Sequence, residues 1–244
     1  MIQKGKRNIE VCYSPALYQY YRNDDAIVVV SDILRATTAI CAAFDSGVKN
    51  LIPVGGIDEA REWKKKGYPV AAERDGIVLD FADFGNSPFN FSPERVSGQT
   101  IVYSTTNGTQ AIMMASEARH VAIGAFINLS ALAGWILTAG CDVLVLCAGW
   151  KNRYNLEDSV FAGALSDMLI ESGKYDTICD SAVAARELWH IARNDLTGYM
   201  DKAAHRHRLR KLGLDDVMEY CHTPDTTGVI PLLKGNMLVS HVDY

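Results

Sequence analysis

AIVVVSDILRATTAICAA, residues 26–43, is the stretch from which the rest of the chain is read. Ile27, Val28, Val29 and Val30 form a short β-branched run, suited to a strand buried on both faces. Ser31-Asp32 then leads into a helix carrying Arg35, Thr37 and Thr38. In an open α/β sheet, ligands collect beyond the carboxyl ends of the strands. The helix that starts there offers unpaired backbone N–H groups and a positive dipole end to an anion. Asp32 is a carboxylate at the strand tip, placed to hold a metal, and Arg35 is a fork-shaped cation placed to hold a phosphate. Taken alone, the same residues read as an N-cap Asp and a surface Arg.

Outward from this unit, strands and helices alternate. Ile9 to Ser14 is expected as a strand, and Pro15 opens a short aromatic helix through Tyr21. Gly47 ends the founding helix. Val48 to Val54 is a strand, Ile57 to Lys66 an amphipathic helix closed by Gly67, and Pro69 to Ala72 the start of the next strand. Asp75 to Ser97 has no steady period, and a loop that long in a compact domain is more often functional than idle. Strands at Thr100–Ser104, Val121–Gly124 and Val143–Cys147 then alternate with helices at Gly108–Ala118, Asn128–Thr138 and Leu156–Ser172. From Ser181 the chain turns helical, and a strand near Leu238 to Val242 closes it. The expectation is one domain over residues 1–244, a three-layer α/β/α fold with a mostly parallel or mixed sheet and a helical C-terminal portion.

Composition narrows the function. The 244 residues are 48% hydrophobic, enough for one substantial core. MIQKGKRNIEV carries no apolar leader core, and Asp142 interrupts the longest apolar run, Ala131 to Gly149. A soluble cytoplasmic protein without a membrane partner is expected. The six cysteines form no CxxC pair, which argues for reduced thiols and against a zinc knuckle. A net charge of −5 disfavours nucleic acid as a partner. A small anionic substrate would need local devices, namely helix starts, a few arginines or a bound cation.

Polar clusters recur along the alternation: Glu73-Arg74-Asp75-Gly76, Gly85-Asn86-Ser87-Pro88, Thr105-Thr106-Asn107-Gly108-Thr109, Cys147-Ala148-Gly149 and Leu156-Glu157-Asp158. If the sheet is parallel, those that follow strands share one edge. Thr105, Thr106, Asn107 and Thr109, with the backbone of Gly108, supply neutral donors that grip phosphate or sulfonate oxygens. Asp32, Glu73, Glu157 and Asp158 are hard oxygen ligands of the kind magnesium takes. Arg35 and Arg74 can clamp an anion bidentately. Each cluster singly also reads as a turn or a helix cap.

In order and over most of the chain, these motifs resemble the 2-phosphosulfolactate phosphatases. The resemblance rests on Asp32-Ile33-Leu34-Arg35-Ala36-Thr37-Thr38, Ala72-Glu73-Arg74, Gly85-Asn86-Ser87-Pro88, Thr105-Thr106-Asn107-Gly108-Thr109, Cys147-Ala148-Gly149, Leu156-Glu157-Asp158 and Ala162-Gly163. Departures are Ala72 for a glycine, Phe81-Ala82-Asp83, and the link Trp150 to Tyr154. The resemblance implies magnesium-dependent hydrolysis of 2-phosphosulfolactate, or a similar small phosphorylated acid, to sulfolactate and phosphate on the way to coenzyme M, and a homodimer. On this reading Asp32, Arg35, Glu73 and Asp158 are catalytic. Asp32 and Glu73 with Glu157 or Asp158 hold magnesium. Arg35 and the Thr105–Thr109 helix start stabilise phosphoryl oxygens, while Arg74 and Asn86 grip the carboxylate or sulfonate. Ser87, Thr37 and Cys147 complete the substrate contacts.

Two rivals stand beside it. Cys147 to Arg153 has the C-x5-R spacing of cysteine phosphatases, although Tyr154 follows where a hydroxyl residue is usual. A non-catalytic anion-binding domain would keep the same pocket. A haloacid-dehalogenase route through Asp32 needs a second Asp two residues on, where Leu34 stands. His205-x-His207 reads as part of a solvated basic helix face within Lys202 to Lys211, and Cys221-His222-x-x-Asp225 as a turn before Pro231.

Overall fold

A computed structural model of the chain describes residues 2–241. Its frame is one mixed sheet with eleven strands among the described residues. They are β1 (Arg7–Cys12), β2 (Ile27–Ser31), β3 (Asn50–Pro53), β4 (Val70–Arg74), β5 (Ile77–Val78) and β6 (Thr100–Ser104). The others are β7 (His120–Gly124), β8 (Val143–Cys147), β9 (Tyr175–Asp176), β10 (Ile230–Lys234) and β11 (Met237–His241). Across the sheet the order is β5-β4-β6-β3-β11-β10-β7-β2-β8-β1-β9. The α/β/α expectation is met, with most neighbours parallel: β4-β6-β3 form one parallel group, β7-β2-β8-β1-β9 the other.

Between the groups lies the antiparallel hairpin β10–β11, joined to β7 at Leu232 opposite Ala122 and to β3 at Leu238 opposite Leu51. Both junctions are antiparallel, so strand sense reverses from one group to the other. The clusters therefore do not share one edge of a uniformly parallel sheet. They meet around the helix Ala36–Asp45, which is buried from Ala36 to Phe44. A helix apolar on every side demands cover on every side. Tyr103 of β6 reaches it from the far group, donating its hydroxyl to the Ala36 carbonyl at 3.2 Å.

The sequence reading anticipates one closing strand but not β10, because Pro231 has no ladder donor and counts against a strand. Val242, the last residue of the expected strand, lies outside the described residues. The segment Asp75–Ser97 holds β5, which pairs back on β4, and short helical turns at Pro88–Asn90 and Pro93–Val96.

Burial explains the centre. Ile27, Val28, Val29 and Val30 are fully buried, and each such side chain contributes about 1.5–3 kcal/mol. Helix Leu156–Glu171 packs on helix Asp180–Ala192 so closely at Gly163 that a Cβ there would lie 1.9 Å from the Ala185 carbonyl oxygen. Among the described residues no helix is long and apolar enough to cross a membrane.

Candidate active site

The loop after β2 is built by its own hydroxyls. The Asp32 N–H donates to Thr37 Oγ1 at 3.0 Å, the Thr37 N–H donates to the Asp32 carbonyl at 2.9 Å, and Thr38 Oγ1 donates to the Ile33 carbonyl at 2.9 Å. The turn fixes Asp32 and Arg35, both buried, at the wall of a cavity of about 300 Å³. Arg35 donates to Asn86 Oδ1 at 2.8 Å, which fixes its fork. Gly108 backs the wall: a Cβ there would lie 2.9 Å from Asp32 Oδ2 and 2.7 Å from Ala36 Cβ.

The buried carboxylates do different work. Asp158 accepts the Ile33 N–H at 2.9 Å and the Gly149 N–H at 3.0 Å, tying the ends of β2 and β8 together. Glu73 accepts the Thr106 N–H at 2.8 Å and the Gly76 N–H at 2.7 Å, tying β4 to the loop after β6. Glu157 accepts from His205 Nδ1 at 2.7 Å and from Asn155 Nδ2 at 3.2 Å, while its Oε2 is buried without a partner. Asp32 is the buried carboxylate on the cavity wall that ties no second strand or loop, taking only the Ala36 N–H of its own turn. Burial, then the neighbouring Asp158, push it well above the usual carboxylate range, with His205 opposing.

The other wall is cationic. Helix Ala204–Lys211 presents His205, Arg208 and Lys211 to the cavity, and the loop after β8 adds Trp150 and Lys151. Arg208 lies 4.2 Å over the Trp150 ring, and His205 packs on the same ring at 5.3 Å. Lys151 pairs with Asp75 at 2.8 Å, and its N–H donates to Asn107 Oδ1 at 3.0 Å.

A family model described as 2-phosphosulpholactate phosphatase matches residues 12–236. The chain belongs to the 2-phosphosulfolactate phosphatase family. It is 36% identical over 211 residues to a probable 2-phosphosulfolactate phosphatase of Thermotoga maritima, covering 86% of this chain and 90% of that one. The protein of that name from Caldanaerobacter subterraneus is 33% identical over 221 residues, 89% and 91% of the two chains. The one from Clostridium tetani is 32% identical over 234 residues, 95% and 99% of the two chains.

Of the site residues expected for this phosphatase family, Asp32, Arg35, Glu73, Asn86 and Asn107 line the cavity. Ser87 lines an adjoining recess of about 250 Å³ that shares Arg35 and Asn86. Thr106 faces a recess on the far side of Asn107 and Lys151, its hydroxyl donating to Glu73 and accepting the Asp75 N–H. Arg74 is not on the cavity wall, donating instead to the carbonyls of Glu73 and Gly55 and to Ser104 Oγ. Thr105 and Thr109 satisfy each other's backbone, Thr37 closes the Asp32 turn, and Gly108 serves by having no side chain.

The cysteine route is corrected. Cys147 is fully buried at the end of β8, and burial, then Asp158, hold its thiol well above the ordinary value, the opposite of an activated nucleophile. Arg153 is exposed in a tight turn, its carbonyl accepting the Trp150 N–H, and is not on the cavity wall. The solvated-face reading of His205 is overturned too, whereas His207 is exposed as expected. The signal for the buried side is the four-residue spacing of His205 and Leu209 along one face, hidden among Arg206, Arg208, Arg210 and Lys211. Asp225 takes Ser130 N–H and Oγ at 2.7 Å each, so that cluster is a helix cap.

Among the described residues no three His, Cys, Asp or Glu side chains are disposed to hold a metal. The four expected carboxylate ligands are thus not one cage. Magnesium, however, uses one or two carboxylates and fills its shell with water and substrate oxygens. Asp32, a buried acid pressed by Asp158 and facing open space, fits that role.

Proposed function

We propose that the chain hydrolyses 2-phosphosulfolactate, or a similarly small phosphorylated acid, to the alcohol and phosphate, with magnesium. The observation that carries this is one cavity with a buried carboxylate, Asp32, beside Arg35 on one wall and the basic helix face opposite. A three-carbon acid with three anionic groups needs such a cationic lining, and a cavity of about 300 Å³ suits its size. Arg35, aligned by Asn86, takes phosphoryl oxygens and stabilises the charge that builds on them in the transition state. Arg208 and Lys211, one turn apart on the same helix face, take the carboxylate or sulfonate in place of Arg74. Bound at Asp32, magnesium would supply Lewis acidity towards the phosphoryl group.

The reading extends to a homodimer, resting on the family resemblance, and to the cytoplasm, resting on the reduced-thiol reading of the cysteines. The test is phosphate release from a panel of phosphorylated hydroxy acids, with magnesium and with EDTA. Release that needs magnesium supports the proposal. Binding without release makes the chain a non-catalytic anion-binding member of its family.

A further inference from the structure

His205 is a buried group of the cavity wall that the proposed function leaves without a task, and Glu157 lies behind it. His205 sits at the start of helix Ala204–Lys211 with its side chain 8% exposed, and Glu157 is fully buried in the first turn of helix Leu156–Glu171. Two elements far apart in sequence are thus joined by one 2.7 Å hydrogen bond, Nδ1 to Oε1. That bond fixes the ring. With the Nδ1 edge committed to the carboxylate, Nε2 is the remaining proton carrier, and His205 lines the cavity that holds Asp32. Trp150 packs on the ring at 5.3 Å and holds its plane. Asn155 donates to the same Glu157 oxygen at 3.2 Å and steadies the carboxylate from behind.

The reaction itself calls for such a group. Breaking a phosphate ester of an ordinary alcohol expels an alkoxide, a poor leaving group until it is protonated. Among the cavity's cations, Arg35 and Arg208 do not give up protons near neutrality. Lys151 is paired with Asp75 at the rim, and Lys211 is engaged with the substrate's carboxylate or sulfonate end on the proposed reading. Imidazole is the side chain suited to cycling a proton under these conditions.

Resting on the phosphatase reading, we infer that His205 donates the Nε2 proton to the ester oxygen of the leaving alcohol, and that Glu157 is the residue that positions it. The phosphorus–ester oxygen bond breaks and its electron pair stays on the alcohol oxygen, which takes the His205 proton. Water forms the new phosphorus–oxygen bond. Its surplus proton leaves on the phosphate and is returned to the imidazole through solvent, so the enzyme ends the cycle unchanged.

The experiment compares two esters of the same protein. One is a phosphorylated hydroxy acid, whose alkoxide needs the proton. The other is p-nitrophenyl phosphate, whose phenolate leaves without it. His205→Asn is expected to lower kcat on the alkyl ester about 10²–10⁴-fold while changing the aryl ester by less than about threefold. Glu157→Gln is expected to lower alkyl-ester kcat in the same sense, by less, with KM unchanged. The aryl ester doubles as a folding control. Equal losses on both esters, or no loss on either, overturn the inference and leave the phosphatase reading standing. Wild-type inactivity on both esters, with magnesium present, overturns the phosphatase reading and the inference together.

Discussion

The carboxylate of Asp158 accepts the backbone N–H of Ile33 at 2.9 Å, so the helix opening at Leu156 is stitched to the chain just past β2. Its second oxygen holds the Gly149 N–H. Asp158→Ala leaves both buried donors without an acceptor, at about 1–3 kcal/mol each. The urea midpoint should fall accordingly. An unchanged midpoint would show that the stitch is not structural.

Asp32 behaves oppositely. Burial and Asp158 already disfavour its charge, so Asp32→Asn should leave the melting temperature equal or higher while turnover drops at least about 10²-fold. Magnesium should raise the wild-type melting temperature and not that of the variant. Turnover retained with unaltered magnesium dependence would remove Asp32 from the chemistry.

Gly108 has no room for a methyl group. Gly108→Ala should displace the Asp32 carboxylate and cost about 10²-fold in kcat, since displacements near 1 Å are enough for that. A variant as active as wild type would mean that the wall yields without moving Asp32.

Cys147→Ala should keep turnover within about threefold, with magnesium dependence intact, because a buried thiol held in its neutral form is no nucleophile. Complete loss in a folded variant would restore the thiolate route.

His222 is buried against Phe126 with both ring nitrogens unpartnered, and burial lowers its pKa to about 4. The unfolded chain therefore takes up a proton that the folded one refuses. Stability from this source is present above the ordinary histidine value near 6.5 and is lost as pH falls from there to about 4. The loss amounts to about 3 kcal/mol. His222→Phe should flatten that acid limb in urea melts between pH 4 and about 7. A limb of the same slope would place its origin elsewhere.

Asp32, Arg35, Asn86 and Asn107 were legible because each belongs to a contiguous polar run in the strand–loop–helix alternation, where an α/β sheet gathers ligands. Arg74 was over-read although the remedy lay in the sequence. Neighbours on a strand point to opposite faces, so Glu73 and Arg74 cannot both line one cavity. His205 and Arg208 were hidden for a different reason. A short basic helix looks solvated until the tertiary fold docks it over the sheet, and docking is set by distant apolar contacts such as Leu209. Pro231 masked β10, and with it the reversal of strand sense across the sheet.

The hairpin Ile230–His241 has a consequence for how the molecule comes into being. The final stretch of the described chain fills the middle of the sheet, so the two parallel groups stay unjoined until Ile230–His241 has been made. A ribosome-bound chain must wait with two open strand edges, β3 and β7, the kind of surface that invites self-association. Shortening the protein ahead of Ile230 would remove a keystone rather than trim a tail.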